Sequence, residues 1–199
     1  MRFTIGRKLF SLVGSAILAF CAFIVFFLFS TYETFVSERA QLVQTQVQSA
    51  ASLVQRYAAQ AQSGELTENE AKARATAALS AIRYGEDEYF FVNDTRGAWI
   101  FHPDTKRIGQ PAWDRVDENG VLVTQELVAR AEEGGGFTEY TTTRLGSAAP
   151  ALKLSYSQLI LPWDWVIATG VYVDDIEAAM WTKGSQIVAV GAAIGLGLG

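Results

Sequence analysis

Two uncharged apolar segments bracket this chain, and they constrain it more than any other feature. The 24 residues from Leu9 to Tyr32 carry no formal charge, nor do the 16 from Gly184 to Gly199. The first, LFSLVGSAILAFCAFIVFFLFSTY, is long enough to span a bilayer. About 20 apolar residues at 1.5 Å each cross roughly 30 Å of hydrocarbon. A secretory signal has a shorter apolar core, about 7–15 residues, and a small-residue cleavage site. Here the run ends in Phe26, Phe27, Leu28 and Phe29 with no Ala-x-Ala pattern, which favours an uncleaved anchor. Arg2, Arg7 and Lys8 precede it and no acidic residue does, so the positive-inside rule puts the N-terminus in the cytoplasm. The second segment, short and glycine-rich, returns the chain. The expected layout is a cytoplasmic N-terminus at 1–8, a membrane helix at 9–31, an extracytoplasmic domain at 32–183, and a second, truncated membrane helix at 184–199. An output module in the cytoplasm is expected beyond the end of this sequence.

Charge narrows what the middle can do. All 21 acidic residues and 13 of the 16 basic ones lie between the two segments, a net charge of −8. Such a domain is a poor partner for nucleic acid or for anionic headgroups. The single cysteine, Cys21, lies in the first apolar segment, so the domain holds neither a disulfide nor a cysteine metal site. No cofactor is implied. About 150 residues suffice for one domain with its own core.

After the first apolar segment the pattern becomes amphipathic without a break. Phe35, Leu42, Val43, Val47, Ala50, Leu53, Val54, Tyr57 and Ala61 recur at near-helical spacing, and no Gly or Pro occurs between Ala16 and Ser63. One helix to about Gln62 is predicted, with Gly64 just past its end. A single stripe on so long a helix has two readings: a partner helix in a homodimer, or packing on the domain's own sheet. Thr67-Glu68-Asn69-Glu70 has the form of a capping box, opening a second helix to about Ile82. Then the period changes. Tyr89–Asn93 and Ala98–His102 form a hairpin around Asp94-Thr95-Arg96-Gly97. Pro103 to Asn119 is loop, Val121–Glu133 a helix, and Phe137–Thr143, Leu152–Leu159 and Trp165–Val173 are strands. Asp174 is expected to cap a last helix. Hairpins with helices to one side imply an α+β fold. The prediction is a PAS-like five-stranded antiparallel sheet with a long N-terminal helix, flanked by two transmembrane helices.

Four motifs, in order, resemble those of the single Cache domain, type 2. They are Tyr89-Phe90-Phe91-Val92-Asn93-Asp94-Thr95-Arg96-Gly97 closed by His102-Pro103; Gly135-Gly136-Phe137-Thr138-Glu139-Tyr140; Lys153-Leu154-Ser155-Tyr156; and the stretch from Trp163 to Ile176. The resemblance covers about Tyr32 to Lys183. It implies the extracytoplasmic sensor of a bacterial methyl-accepting chemotaxis receptor in the inner membrane, with the sensor in the periplasm or outside. It also implies small carboxylates as ligands: acetate, propionate, pyruvate, lactate. The connection RLGSAAPA, Arg144–Ala151, departs from the family, whose members often carry more aromatic and basic residues there.

A small carboxylate needs charge-assisted donors and a wall shaped to a short alkyl group. Lys153 is the cation in the middle of a predicted strand, between Leu152 and Leu154. Burial without a partner is costly for lysine, so an anion beside it is expected; the other reading is an edge lysine reaching solvent. Tyr89, Phe91 and Asn93 share one strand face and Phe90 and Val92 the other. Tyr89, Tyr140 and Tyr156 are candidate hydroxyl donors, or core aromatics with bonded hydroxyls. Tyr156 falls on the face opposite Lys153 if the strand is regular. His102, the lone histidine, has no sequence partner that suggests general-base chemistry or a zinc site. The family places His-Pro beside the pocket; the other reading is a structural turn. Trp99 and Arg83 can also reach the pocket, whereas Trp163 and Trp165 suit packing.

Ligand sensing by a chemoreceptor is therefore the first functional reading, with the sensor input of a histidine kinase or diguanylate cyclase as its variant. A protein-binding domain without signalling would show an exposed apolar patch instead of a closed pocket. An enzyme is not expected: there is no Gly-x-Ser-x-Gly, no His-x-x-x-His, and one histidine.

Overall fold

The computed structural model describes residues 5–85 and 88–173. The last helix expected after Asp174 and the second apolar segment lie outside the described residues. The described residues fall into two units, 5–37 and 38–173.

The first helix, α1 (Ile5–Gln62), needs no breaker until Ser63 and Gly64, and Gly64 takes the left-handed conformation, φ +77°. Its N-terminal part is apolar enough to cross a membrane, with a mean hydropathy of 2.8. It is the one such helix among the described residues. Leu18, Phe23, Val25, Phe26 and Phe29 on it are 60–72% exposed.

From Glu38 onward α1 belongs to the folded domain. Val43, Val47, Ala50, Ala51, Val54 and Ala58 are 0–2% exposed and join one core with the sheet. The stripe that raised the expectation of a partner helix is thus used within the domain over this stretch. Leu42, at 39%, stays exposed. The second helix, α2 (Glu68–Ala81), starts at the expected capping box: the Thr67 hydroxyl accepts from Glu70 N at 3.3 Å and the Glu70 carboxylate from Thr67 N at 3.0 Å. Ala71, Ala75 and Leu79 seat it on the same core.

Five antiparallel strands follow: β1 (Phe91–Asp94), β2 (Trp99–Phe101), β3 (Gly136–Thr143), β4 (Pro150–Ile160) and β5 (Trp165–Tyr172), in the order β2-β1-β5-β4-β3. β4 starts two residues earlier than expected. Pro150 is tolerated because it is the first residue of the strand, where a missing N–H costs least. The β4–β5 corner is a single 3-10 turn closed by Asp164 in the left-handed region, φ 51°. Aspartate tolerates that region better than most residues. So short a corner fixes the register from Ile160↔Trp165 out to Lys153↔Tyr172.

The pleat then sorts side chains by parity. Phe90, Val92, Tyr156, Ile167 and Val171 face α1 and α2. Tyr89, Phe91, Trp99, Tyr140 and Ala168 face the other way, under α3 (Val123–Glu132) and the segment 104–122. Ile167 is 1% exposed on β5, between β1 and β4. Ile167→Ala is expected to lower unfolding free energy by roughly 2–5 kcal/mol, read from urea midpoints at unchanged slope.

Candidate ligand site

Strand register assembles one polar group at the centre of an otherwise aromatic layer. Lys153 on β4 stands opposite Tyr140 on β3 and Tyr172 on β5. Its side chain is buried, 1% exposed. The ammonium lies 4.4 Å from the Tyr89 ring centroid, 4.8 Å from Tyr172 and 5.9 Å from Phe91. Burial pushes the Lys153 ammonium down to about 8, and the Glu88 carboxylate acts in the opposite sense. Three ring faces are each worth about 0.5–2 kcal/mol, less than several kcal/mol of desolvation. The remaining deficit appears as the lowered pKa.

The donors around it are organised by hydrogen bonds. The Tyr172 hydroxyl donates to the Thr143 carbonyl at 3.2 Å. Tyr140 and Ser155 share a hydroxyl bond of 3.0 Å. Burial pushes Tyr140 up to about 12 and Tyr89 higher still, so both stay protonated. A Cβ at Gly170 would overlap the Ser155 hydroxyl, so this β5 position must lack a side chain for β4 to approach.

His102 packs at the edge of the layer, 5.0 Å from Trp99 and 5.4 Å from Tyr89 between centroids. Its Nδ1 accepts from Asp104 N at 2.9 Å. Burial, aided by Arg107, pushes it down to about 4. It is therefore neutral near pH 7, with its proton on Nε2, a donor and not a charge. It shapes the turn through Nδ1 and packs at the edge of the aromatic layer.

The structure thus brings Lys153, Tyr89, Phe91, Tyr140, His102 and Trp99 together. Two candidates lie elsewhere. Tyr156 packs on the helix side, its ring 4.9 Å from Phe137, because one step along a regular strand reverses the face. Arg83 is exposed and donates to the Ser80 and Ile82 carbonyls at the end of α2, where a cation complements the helix dipole. Sequence reasoning missed Tyr172, although counting back from the corner would have paired it with Lys153. It also missed Arg115 and Arg107. Arg115 lies 5.5 Å over the Tyr140 ring and Arg107 5.9 Å over Trp99. Both line a cleft of about 300 Å³ with Asp117, Glu118 and Thr141 to Thr143. No sequence signal marks loop arginines for such positions.

A five-stranded antiparallel sheet in the order β2-β1-β5-β4-β3 behind a long N-terminal helix is a PAS-like fold. Residues 36–186 match the sequence profile of Single Cache domain 2, and the chain belongs to that family. Its Cache region is a non-enzymatic ligand-binding sensor domain. The methyl-accepting chemotaxis protein McpP of Pseudomonas putida is 33% identical over 160 residues, 78% of this chain and 29% of that protein. The sensor histidine kinase MctS of Rhizobium johnstonii is 40% identical over 109 residues, 54% of this chain and 24% of that protein. The chain therefore spans less than a third of these relatives. Among solved structures, a periplasmic sensor domain of a chemotaxis protein superposes with a TM-score of 0.67 at 37% identity, covering 69% of this chain and 97% of that one. A Cache chemosensory domain described for carboxylic acid recognition gives 0.67 at 31% identity, covering 71% and 97%.

The lowered Lys153 pKa has a consequence for stability. A lysine depressed in the folded state destabilises the fold below that value, and the cost fades as pH rises toward the unfolded value near 10.4. Lys153→Met is expected to be more stable than wild type at pH 7 by roughly 3 kcal/mol, an upper bound from the size of the shift. The gap should shrink above pH 8 and close near pH 10.5, measured by urea unfolding of both proteins across that range.

Proposed function

We propose that this chain is the ligand-sensing region of a transmembrane receptor and that it binds a two- or three-carbon monocarboxylate at Lys153. The observation that carries the reading is the Lys153 ammonium, buried at the centre of three aromatic rings and held down in pKa by that burial despite the Glu88 carboxylate. An anion beside that group offsets the cost of its burial. The Tyr89 and Tyr140 hydroxyls and the neutral His102 supply donors, and Phe91 and Trp99 supply a wall for a methyl or ethyl group. The aromatic wall suits a short alkyl chain better than a second charge. The solved relative described for carboxylic acid recognition supports the same ligand class.

In this reading residues 9–31 and 184–199 are membrane helices and 32–183 lie in the periplasm or outside. Occupancy shifts the population between two arrangements of the sheet and the segment after β5. A methyl-accepting output is the first choice, on the likeness to McpP. A kinase output is the second, on the likeness to MctS. Two copies are proposed to pair weakly along α1, using the exposed face that includes Leu42 and not the stretch packed on the sheet.

Titration calorimetry with acetate, propionate, pyruvate and lactate tests the ligand. Charge-assisted bonds are worth about 1.5–3 kcal/mol, so Lys153→Met should weaken binding about 10- to 100-fold. Wild-type affinity should be level below pH 8 and fall by about tenfold per pH unit above it, as the ammonium loses its proton. No binding of any of the four acids would sink the ligand class. Equal binding to both proteins would sink the role of Lys153.

A further inference from the structure

The Lys153 site is covered, and one part of its cover is held unevenly. Lys153, His102 and Tyr140 are each 3% exposed or less, so an acid that reaches the ammonium has to displace something. On that side of the sheet lie α3 and the segment 104–122. α3 is seated by Val123, Leu127, Val128 and Ala131, all at most 3% exposed. The segment 104–122 has one 3-10 turn, and Ala112 is its one buried residue. Yet it carries Arg107 over Trp99 and Arg115 over Tyr140.

Val123 N and Gln125 Nε2 at the start of α3 donate to Arg115 O and Trp113 O at 3.0 and 3.2 Å, and toward the two sheet edges the segment is fastened by different chemistry. On the β2 side three main-chain bonds tie it down: Trp99 N to Gln110 O at 3.1 Å, Gly109 N to Trp99 O at 2.8 Å, and Ala112 N to Gly97 O at 2.8 Å. On the β3 side every bond among the described residues uses a side chain of the segment. Asp117 Oδ2 accepts the edge Thr141 N–H at 2.8 Å, Asn119 Nδ2 donates to Thr141 Oγ1 at 3.1 Å, and Arg115 Nη2 donates to Thr142 Oγ1 at 2.9 Å. Asp117 Oδ1 also accepts from Asn119 N and Val121 N, both at 2.8 Å, and so shapes the turn it anchors.

We propose that the segment 104–122 is a strap hinged on β2 and latched to β3 by Asp117, and that its release admits ligand to Lys153. The admission of an acid rests on the ligand reading above; the latch does not. One β3 N–H on the Asp117 carboxylate, beside two from the segment's own turn, fastens the strap at a solvated edge, where such bonds open far below the cost of global unfolding. The Thr141 N–H also holds the Asp117 carboxyl below its usual range, the sense expected of a latch made by the charged form. Asp117 is a positioning residue: it touches no ligand.

The test reads access to Lys153 without any acid. The full chain in lipid nanodiscs is treated with a limiting reductive-methylation reagent near pH 7. Labelling of Lys153 is compared with that of Lys72 on α2 by mass spectrometry. Asp117→Asn should raise the Lys153:Lys72 ratio roughly tenfold, and Thr142→Val, which removes only the Arg115 bond, by about threefold. The second variant decides if the first fails to fold. Equal ratios in wild type and the folded variants overturn the strap. So does faster exchange of the Thr141 amide with no change at Lys153, which would make Asp117 a purely local turn. If none of the four acids binds wild type, the ligand reading fails while the labelling ratio still decides the latch.

Discussion

The Lys153 ammonium is the group on which the rest of the site depends. It is buried, it meets three aromatic rings, and its pKa is pushed down to about 8. Burial works against the charged form and the Glu88 carboxylate works for it, and a charge-assisted bond from an anion would act in the same sense as Glu88. Residues chosen for stability alone would place an apolar side chain here. The site is therefore a local weakness of the fold, of the kind that binding relieves.

The fold places that weakness by register. The four-residue corner from Leu161 to Asp164 sets Lys153 against Tyr172, and the β3–β4 pairing sets it against Tyr140. Strand parity separates this layer from the core under α1 and α2, so Phe91 and Val92 serve different purposes one residue apart. Gly170 lets β4 and β5 approach beside Ser155, whose hydroxyl holds Tyr140.

Much of this was legible in the residues because it follows from local rules. The α2 capping box, the β1–β2 hairpin, the strand order of polar and apolar faces, and the lone mid-strand lysine all follow from spacing. The side taken by Tyr156 follows from parity as well. Three things were not legible. The α1 stripe has the same spacing whether it packs on a sheet or on a second helix, so only the tertiary contacts of Val43, Val47 and Val54 decide. Arg83 near the end of α2 is equally placed to reach a pocket or to bond the last carbonyls, and it does the latter. Arg107, Arg115 and Asp117 act through a segment whose path depends on irregular turns, which no period encodes.

The most direct measurement is the titration of Lys153 itself, followed by the 13Cε shift of a selectively labelled chain with and without saturating propionate. Without the acid the midpoint should lie near 8. With it the midpoint should move upward by a unit or more, roughly the size of one charge-assisted bond. A midpoint that stays the same while propionate is bound elsewhere, or one already near 10.4 in its absence, would contradict an ammonium waiting for an anion.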